Sequence, residues 1–205
     1  MALTEKLIED GWLKSPSIIR AFRKIKRADF LPPDFQNIAE FDGALPVGFG
    51  QTISQPLVVA FMIELLRPRP GEKILDIGSG SGWTTALLAE IVGPKGKVFA
   101  FELVPELKEF GEKNAAKYNF IGKGIARFIC ADGSSGYPKE APFDKILASA
   151  SAKKIPPDWK EQIKTGGRIV LPVGNSIHLL IKKEDGDFEE KEYPGFVFVP
   201  LISKD

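Results

Sequence analysis

The chain has 205 residues, 43% of them hydrophobic and 27% charged, which suits one globular domain or one domain carrying a small appendage. Lys plus Arg number 28 against 27 for Asp plus Glu, and a balance of +1 carries no electrostatic footprint for nucleic acid or an anionic membrane. A single cysteine, Cys130, excludes an intramolecular disulfide and a thiolate metal cluster, and a single histidine, His178, excludes a multi-histidine metal site.

In chain order, MALTEKLIEDGW has acids where a signal peptide needs its apolar stretch, and runs such as Leu57 to Ile63 are too short to span a membrane, so a cytoplasmic location is expected. Leu3, Leu7, Ile8 and Leu13 instead predict a short amphipathic helix, and Ser15-Pro16 starts a second. In that second helix Ile18, Ile19, Phe22 and Ile25 repeat at helical spacing. Arg20, Arg23, Lys24, Lys26 and Arg27 fill its other face, which is expected to be solvated, since Asp29, Asp34, Glu40 and Asp42 follow closely. The stretch LPPDFQNIAEFDGALPVGFGQTISQP is too long and too aromatic for a plain linker, and is read as a functional loop lying on the core. Residues 1–50 thus form a helical appendage with a substrate loop, and 51–205 the core of one structural unit.

From Gln55 onward helix and strand alternate. Helices are predicted over Pro56 to Leu66, Trp83 to Val92, Pro105 to Asn119 and Pro157 to Lys164. Strands are predicted over Lys73 to Ile77, Lys97 to Glu102, Ala126 to Cys130, Lys145 to Ala148 and Arg168 to Val173. A hairpin-like end follows, with IHLLIKK and the turn Glu184-Asp185-Gly186-Asp187. This is an α/β pattern: a mainly parallel, doubly wound, Rossmann-like sheet with helices on both faces and at least one late antiparallel strand. Cys130 and His178 lie in apolar strand patterns and are expected to be structural. Ile155-Pro156-Pro157-Asp158-Trp159 is read as a helix start with Pro near its first position.

The strongest chemical signal is LDIGSGSGWTTALLAE, where a buried strand runs into Gly78, Ser79, Gly80 and Gly82 and a helix begins at once. Such a turn sits at the carboxyl end of a parallel strand, where open α/β sheets place ligands. Glu102, 20 residues after Gly82, ends the next strand and can accept both ribose hydroxyls of a nucleoside; its neighbour Leu103 joins it as a candidate contact. A dinucleotide fingerprint needs a third glycine where this chain has the bulky Trp83. Asp76, two residues before Gly78, suits the ammonium of an amino acid better than a pyrophosphate. Asp132 and Gly133 follow the third strand, where an acid can accept from the exocyclic amine of adenine. Acids at three successive strand ends point to S-adenosylmethionine rather than a nicotinamide dinucleotide.

GFGQTISQP, LDIGSGSGWTTALLAEIVGPKGKVFAFELVPEL, ADGSSGYPKEAPFDKIL, SASAKKIP, IKTGGRIVLPVG and the closing GFVFVPL together resemble the protein-L-isoaspartate O-methyltransferases. The resemblance runs from about Ala21 to Leu201 with near-constant spacing. It implies methyl transfer from S-adenosylmethionine to the free carboxylate of isoaspartyl residues in damaged proteins and peptides, with S-adenosylhomocysteine as product and Ser54 in the position of the catalytic serine. A carboxylate is ionised at neutral pH and needs no general base, and a sulfonium needs no metal. What remains is positioning and exclusion of water. Ser54 can donate to one carboxylate oxygen, and backbone amides near Val47, Gly48 and Ile53 can complete a substrate cradle. Ser54 can equally cap the helix that starts at Pro56. Leu57 stands where many family members have histidine, and Gln55 where they have alanine, so substrate preference is open here. Two other readings stay open: a same-fold O-methyltransferase for another peptide or small-molecule carboxylate, and a binding module for S-adenosylmethionine without turnover. A monomer with no nucleic-acid, membrane or metal partner is expected.

Overall fold

The computed structural model describes residues 2–202. The chain opens with helices α1 (Leu3–Glu9) and α2 (Pro16–Lys24) and the 3-10 segments Arg27–Phe30 and Pro33–Ile38. An antiparallel ribbon of β1 (Leu45–Gly48) and β2 (Gln51–Ile53) follows. The alternating part comprises α3 (Pro56–Leu66), β3 (Lys73–Ile77), α4 (Trp83–Val92), β4 (Lys97–Glu102), α5 (Pro105–Ala116), β5 (Ala126–Cys130), β6 (Phe143–Ala148), α6 (Pro157–Glu161) and β7 (Ile163–Val173). β8 (Ser176–Lys182) and β9 (Phe188–Pro194) close it.

Seven strands form one sheet in the order β5-β4-β3-β6-β7-β8-β9. From β5 to β7 all neighbours are parallel; β8 and β9 add antiparallel, two late strands where the sequence pattern asked for at least one. The chain moves outward from β3 to β5, then returns to lay β6 on β3's other side. That reversal opens a crevice outside the carboxyl ends of β3, β4 and β6, where open α/β sheets bind ligands.

Side chains alternate between the two faces of the sheet. Ile74, Val98, Leu147 and Val170 enter one core cluster, while Leu75, Phe99, Ile146 and Ile169 enter the other. Burial on both faces is why these strands read as continuous apolar runs rather than alternating ones. Helices cover the faces unequally. α1 to α5 contribute to the first cluster, and the second is closed by the short α6 through Trp159, which is fully buried. Leu7, Ile18, Phe22 and Phe30 of the first fifty residues lie in the first cluster with Val59 and Leu87. Each such side chain contributes about 1.5–3 kcal/mol of burial.

Five expectations need correction. The helix predicted to Lys164 stops at Glu161, because the Phe143 N–H takes the Gln162 carbonyl at 2.8 Å and sheet pairing wins. β7 therefore starts earlier than predicted, with a register jump between its pairing to Phe143 and to Lys145, where Gly166 sits at φ +74°. α5 ends at Ala116 rather than Asn119, whose φ of +61° lies outside helical space. Arg27 is not on the solvated face: α2 ends at Lys24, and the Arg27 side chain is buried under the following loop. Cys130 is exposed rather than in the core, at the last position of the edge strand β5. Elsewhere on α2 the basic side chains do face water, Arg23 pairing with Glu5 and Lys24 with Glu90. His178 sits on β8 and meets Glu190 of β9 at 2.8 Å, away from the crevice. Among the described residues no helix is long and apolar enough to cross a membrane.

Candidate functional site

The crevice is an open cleft with three walls. The first is the glycine turn after β3. Gly78, Gly80 and Gly82 have φ of +77°, +51° and +85°, and the N–H groups of Gly78 and Ser79 both donate to the Phe101 carbonyl at the end of β4. Gly78, Ser79 and Gly80 line the cleft. Gly82 does not. A Cβ there would lie 2.6 Å from the Gly111 carbonyl oxygen, so this glycine lets the start of α4 approach α5.

Glu102 ends β4, 8% exposed, and faces the turn. Its Oε2 accepts from Gly80 N–H at 2.8 Å, and its Oε1 from Leu103 and Val104 N–H at 2.9 and 3.0 Å. Two carboxylate oxygens offer about four acceptor positions, so three amides still leave capacity for a ligand hydroxyl. Leu103 lines the same wall. Asp132 is half-buried and accepts from Ser134 N–H at 2.8 Å; its neighbours Ala131 and Gly133 line the cleft.

Asp76 lies behind the turn, wholly buried. Thr85 donates its hydroxyl to Oδ2 at 2.6 Å, whereas Oδ1 has no partner among the described residues. Burial pushes its carboxyl up to about 7; the Thr85 hydroxyl opposes this, and the nearby Glu102 charge adds to it. Beside it, buried Ser79 Oγ and Trp83 Nε1 are likewise without partners among the described residues. Unsatisfied buried polar atoms cost about 1–3 kcal/mol each, so three of them around one turn fit a ligand that brings its own donors and acceptors.

The second wall is the β1–β2 ribbon and its exit. Gln51, Thr52, Ile53 and Ser54 line the cleft. Val47 is buried beneath the ribbon, Gly48 is exposed at its tip with φ +95°, and Leu57 is half-buried on α3. These three flank the cleft without lining it. Ser54 does not cap α3: the N-cap position is Gln55, and the Leu57 N–H is taken instead by Asp42 Oδ1 at 2.9 Å. The third wall is the segment Val199–Ile202, bridged to the loop after β6 by Ser151 N–H to the Val199 carbonyl (2.7 Å) and Leu201 N–H to the Ser151 carbonyl (2.8 Å). Reading the residues one by one missed Trp83 and this wall. Its only signal was the closing GFVFVPL.

The whole chain, residues 1–205, matches the family model described as protein-L-isoaspartate(D-aspartate) O-methyltransferase. A protein-L-isoaspartate O-methyltransferase of Methanopyrus kandleri is 42% identical over 207 residues, covering 99% of this chain and 91% of its own. A protein-L-isoaspartate O-methyltransferase 2 of Archaeoglobus fulgidus is 45% identical over 202 residues, covering 97% and 90%. Among solved structures, a protein-L-isoaspartate O-methyltransferase superposes with a TM-score of 0.87 at 27% identity, over 98% of this chain and 65% of that one. A Plasmodium falciparum protein assigned to the same activity, in complex with S-adenosyl-L-homocysteine, shares the fold with a TM-score of 0.86 at 21% identity, over 98% and 96%.

Proposed function

The chain belongs to the protein-L-isoaspartate(D-aspartate) O-methyltransferase family, and we propose that it methylates the free carboxylate of isoaspartyl residues in damaged proteins and peptides, with Ser54 orienting that carboxylate. The observation that carries the reading is the meeting of two walls in one cleft. The acid-flanked glycine turn forms one side and the Ser54 segment the other. S-adenosylmethionine, when bound, supplies a methyl group on a sulfonium that is already an activated donor.

The rest of the work falls to the chain's own residues. The unpartnered Oδ1 of Asp76 suits the ammonium of the cofactor's amino-acid end, and the Glu102 carboxylate suits the ribose hydroxyls. Asp132 and Gly133 suit the adenine, with Gly78, Ser79 and Gly80 offering the backbone approach. The Ser54 hydroxyl donates to one oxygen of the substrate carboxylate and leaves the other free as nucleophile. Of the ribbon, Ile53 lines the cleft and its backbone can complete the cradle, with Val47 and Gly48 flanking it from outside. No proton has to move, because the carboxylate is ionised at neutral pH. Orientation and exclusion of water by the ribbon and the 199–202 wall supply the rate, an effect that reaches about 7–11 kcal/mol in the best-oriented cases. Leu57 stands beside the cradle and leaves that wall apolar, which fits a peptide flank better than a second charge. The protein works as a monomer in the cytoplasm, without nucleic acid.

The test is methyl transfer from labelled S-adenosylmethionine to an isoaspartyl peptide and to its aspartyl twin. Transfer to the isoaspartyl peptide alone is expected. Equal transfer to both, or to neither, would replace this reading with another carboxylate substrate or with binding without turnover.

A further inference from the structure

We propose that Arg27 is a positioning residue for methyl transfer, tying the Ser54 segment and the loop of residues 39–43 together against the Trp83 ring. The inference rests on the reading of Ser54 given above. Arg27 is 5% exposed, and its guanidinium donates to four carbonyls from two stretches of chain, three in residues 39–43 and one at Ser54. Nη1 reaches those of Ala39 (3.0 Å) and Phe41 (2.9 Å), and Nη2 those of Gly43 (2.7 Å) and Ser54 (3.2 Å). The guanidinium carbon also lies 5.5 Å from the centre of the Trp83 ring, which lines the glycine-turn wall. One side chain therefore touches both walls of the cleft.

A buried charge is a costly way to hold a loop. An apolar side chain of similar volume often serves stability as well or better. What it cannot do is gather carbonyls that have no ladder partners. Residues 39–44 lie outside the strands, and their backbone N–H groups bond in tight local turns such as Gly43 N–H to the Phe41 carbonyl. The planar guanidinium, with five donors in a fixed fork, suits this task in a way an ammonium does not. Burial holds its proton affinity down to about 10, with Asp42 and Glu40 favouring the charged form, so it is cationic at neutral pH.

A second tie runs the other way across the same gap. Asp42 Oδ1 accepts from Leu57 N–H, and Gln55 Nε2 donates to the Asp42 carbonyl and carboxylate at 3.2 and 3.3 Å. Arg27 grips the backbone at Ser54 and Asp42 grips it at Leu57. Between them the serine backbone is fixed on both sides at a residue that lines the cleft. Releasing the first tie should therefore loosen the substrate side of the cleft and leave the turn that holds the cofactor in place.

The experiment compares wild type, Arg27→Gln and Arg27→Lys by kcat/KM for an isoaspartyl peptide, by S-adenosylhomocysteine affinity, and by amide hydrogen exchange. For Arg27→Gln, kcat/KM should fall about ten- to a hundredfold, the range of one lost charged hydrogen bond. S-adenosylhomocysteine affinity should stay near the wild-type value, and exchange should accelerate over residues 39–57 but not in β3 and β4. Arg27→Lys should recover only part of the loss. An unchanged kcat/KM in folded Arg27→Gln overturns the proposal. So does an affinity loss as large as the activity loss with exchange raised across the sheet, since that pattern marks a purely structural residue. Full recovery by lysine overturns the role of the fork. If Arg27→Gln does not fold, Asp42→Ala loosens the same segment from its other end and must show the same split, or the idea fails. Wild-type protein inactive on the peptide would instead sink the Ser54 reading, independently of the ratio between variants.

Discussion

Ser54 and Asp76 carry opposite kinds of evidence. Ser54 stands on the cleft wall, and the helix-cap role it was equally suited to is filled by Asp42 from the neighbouring loop. Ser54→Ala should therefore leave S-adenosylhomocysteine affinity nearly unchanged and lower kcat/KM for an isoaspartyl peptide by about ten- to a hundredfold, or ~1.4–2.7 kcal/mol. This is less than a donor in an oxyanion hole supplies, because the carboxylate's charge is dispersed during reaction rather than created. Full activity in the alanine variant would leave the backbone cradle to orient substrate alone. Asp76 is a buried acid whose carboxyl is pushed up to about 7 from an ordinary 3.8. The folded chain therefore binds a proton that the unfolded chain has already lost between about pH 4 and 7, and this group makes the free protein less stable as pH rises through that window. The span corresponds to a penalty on the order of 2–4 kcal/mol at neutral pH. Unfolding of free protein at pH 5 and pH 7.5 should show this component, and Asp76→Asn should remove it while keeping an acceptor for Thr85. The same proton competes with a ligand ammonium, so cofactor affinity should weaken as pH falls below about 7, while the rate at saturating cofactor persists toward the substrate's own range near 4. A flat affinity profile from pH 5 to 8 would mean that Asp76 does not face the ammonium.

Elements meet here through glycines whose purposes differ. The turn after β3 contains three with positive φ, a conformation that costs other residues strain. Gly80 lines the cleft, and a Cβ on it would meet nothing within 4 Å among the described residues. Gly82 abuts the backbone of α5 at Gly111. Gly82→Ala should therefore be a stability lesion, roughly 2–4 kcal/mol from strain plus backbone clash, with a fall in Tm of several degrees. Gly80→Ala should cost less stability and more cofactor affinity. Thermal unfolding and S-adenosylhomocysteine titration of the two variants would separate them, and identical profiles would erase the distinction between packing glycine and ligand glycine. The outer strands show another division of labour. β9, FEEKEYP, puts charges along an edge that would otherwise offer free backbone groups to a second chain.

The cleft exists only because three distant stretches converge: the ribbon before α3, the turn after β3, and Val199–Ile202 near the end of the chain. The last is held by two backbone hydrogen bonds to Ser151, in the loop after β6. Truncation after Phe198 should leave the seven strands intact and weaken S-adenosylhomocysteine binding by about tenfold, the worth of roughly one apolar side chain's contact. Affinity by titration and sheet content by circular dichroism measure the two halves of that expectation. Unchanged affinity would make the third wall a bystander.

The order of helices and strands, the turn at their centre and the acids at three strand ends were legible in the residues, because each depends on neighbours in sequence. A period of apolar side chains, a glycine where φ turns positive, and an acid within two residues of a strand end are local facts. The resemblance to one family added Ser54, which no spacing argument singles out. Boundaries such as the early start of β7 were not legible, since the competition between the last turn of α6 and a sheet bond to Phe143 is decided by a partner about twenty residues away. Arg27 was invisible for the same reason. On a helical wheel it joins a basic face, but in the fold it is buried and bonded to carbonyls up to 27 residues distant. Asp76 shows both limits at once: its position next to last in the strand, just before the glycine turn, pointed to a ligand, yet only the tertiary structure determines that Thr85 takes one oxygen and leaves the other without a partner among the described residues. Local pattern sets what each segment can become. Long-range packing decides which polar groups lose water and which partners they then find, and the chemistry of the cleft depends on that outcome.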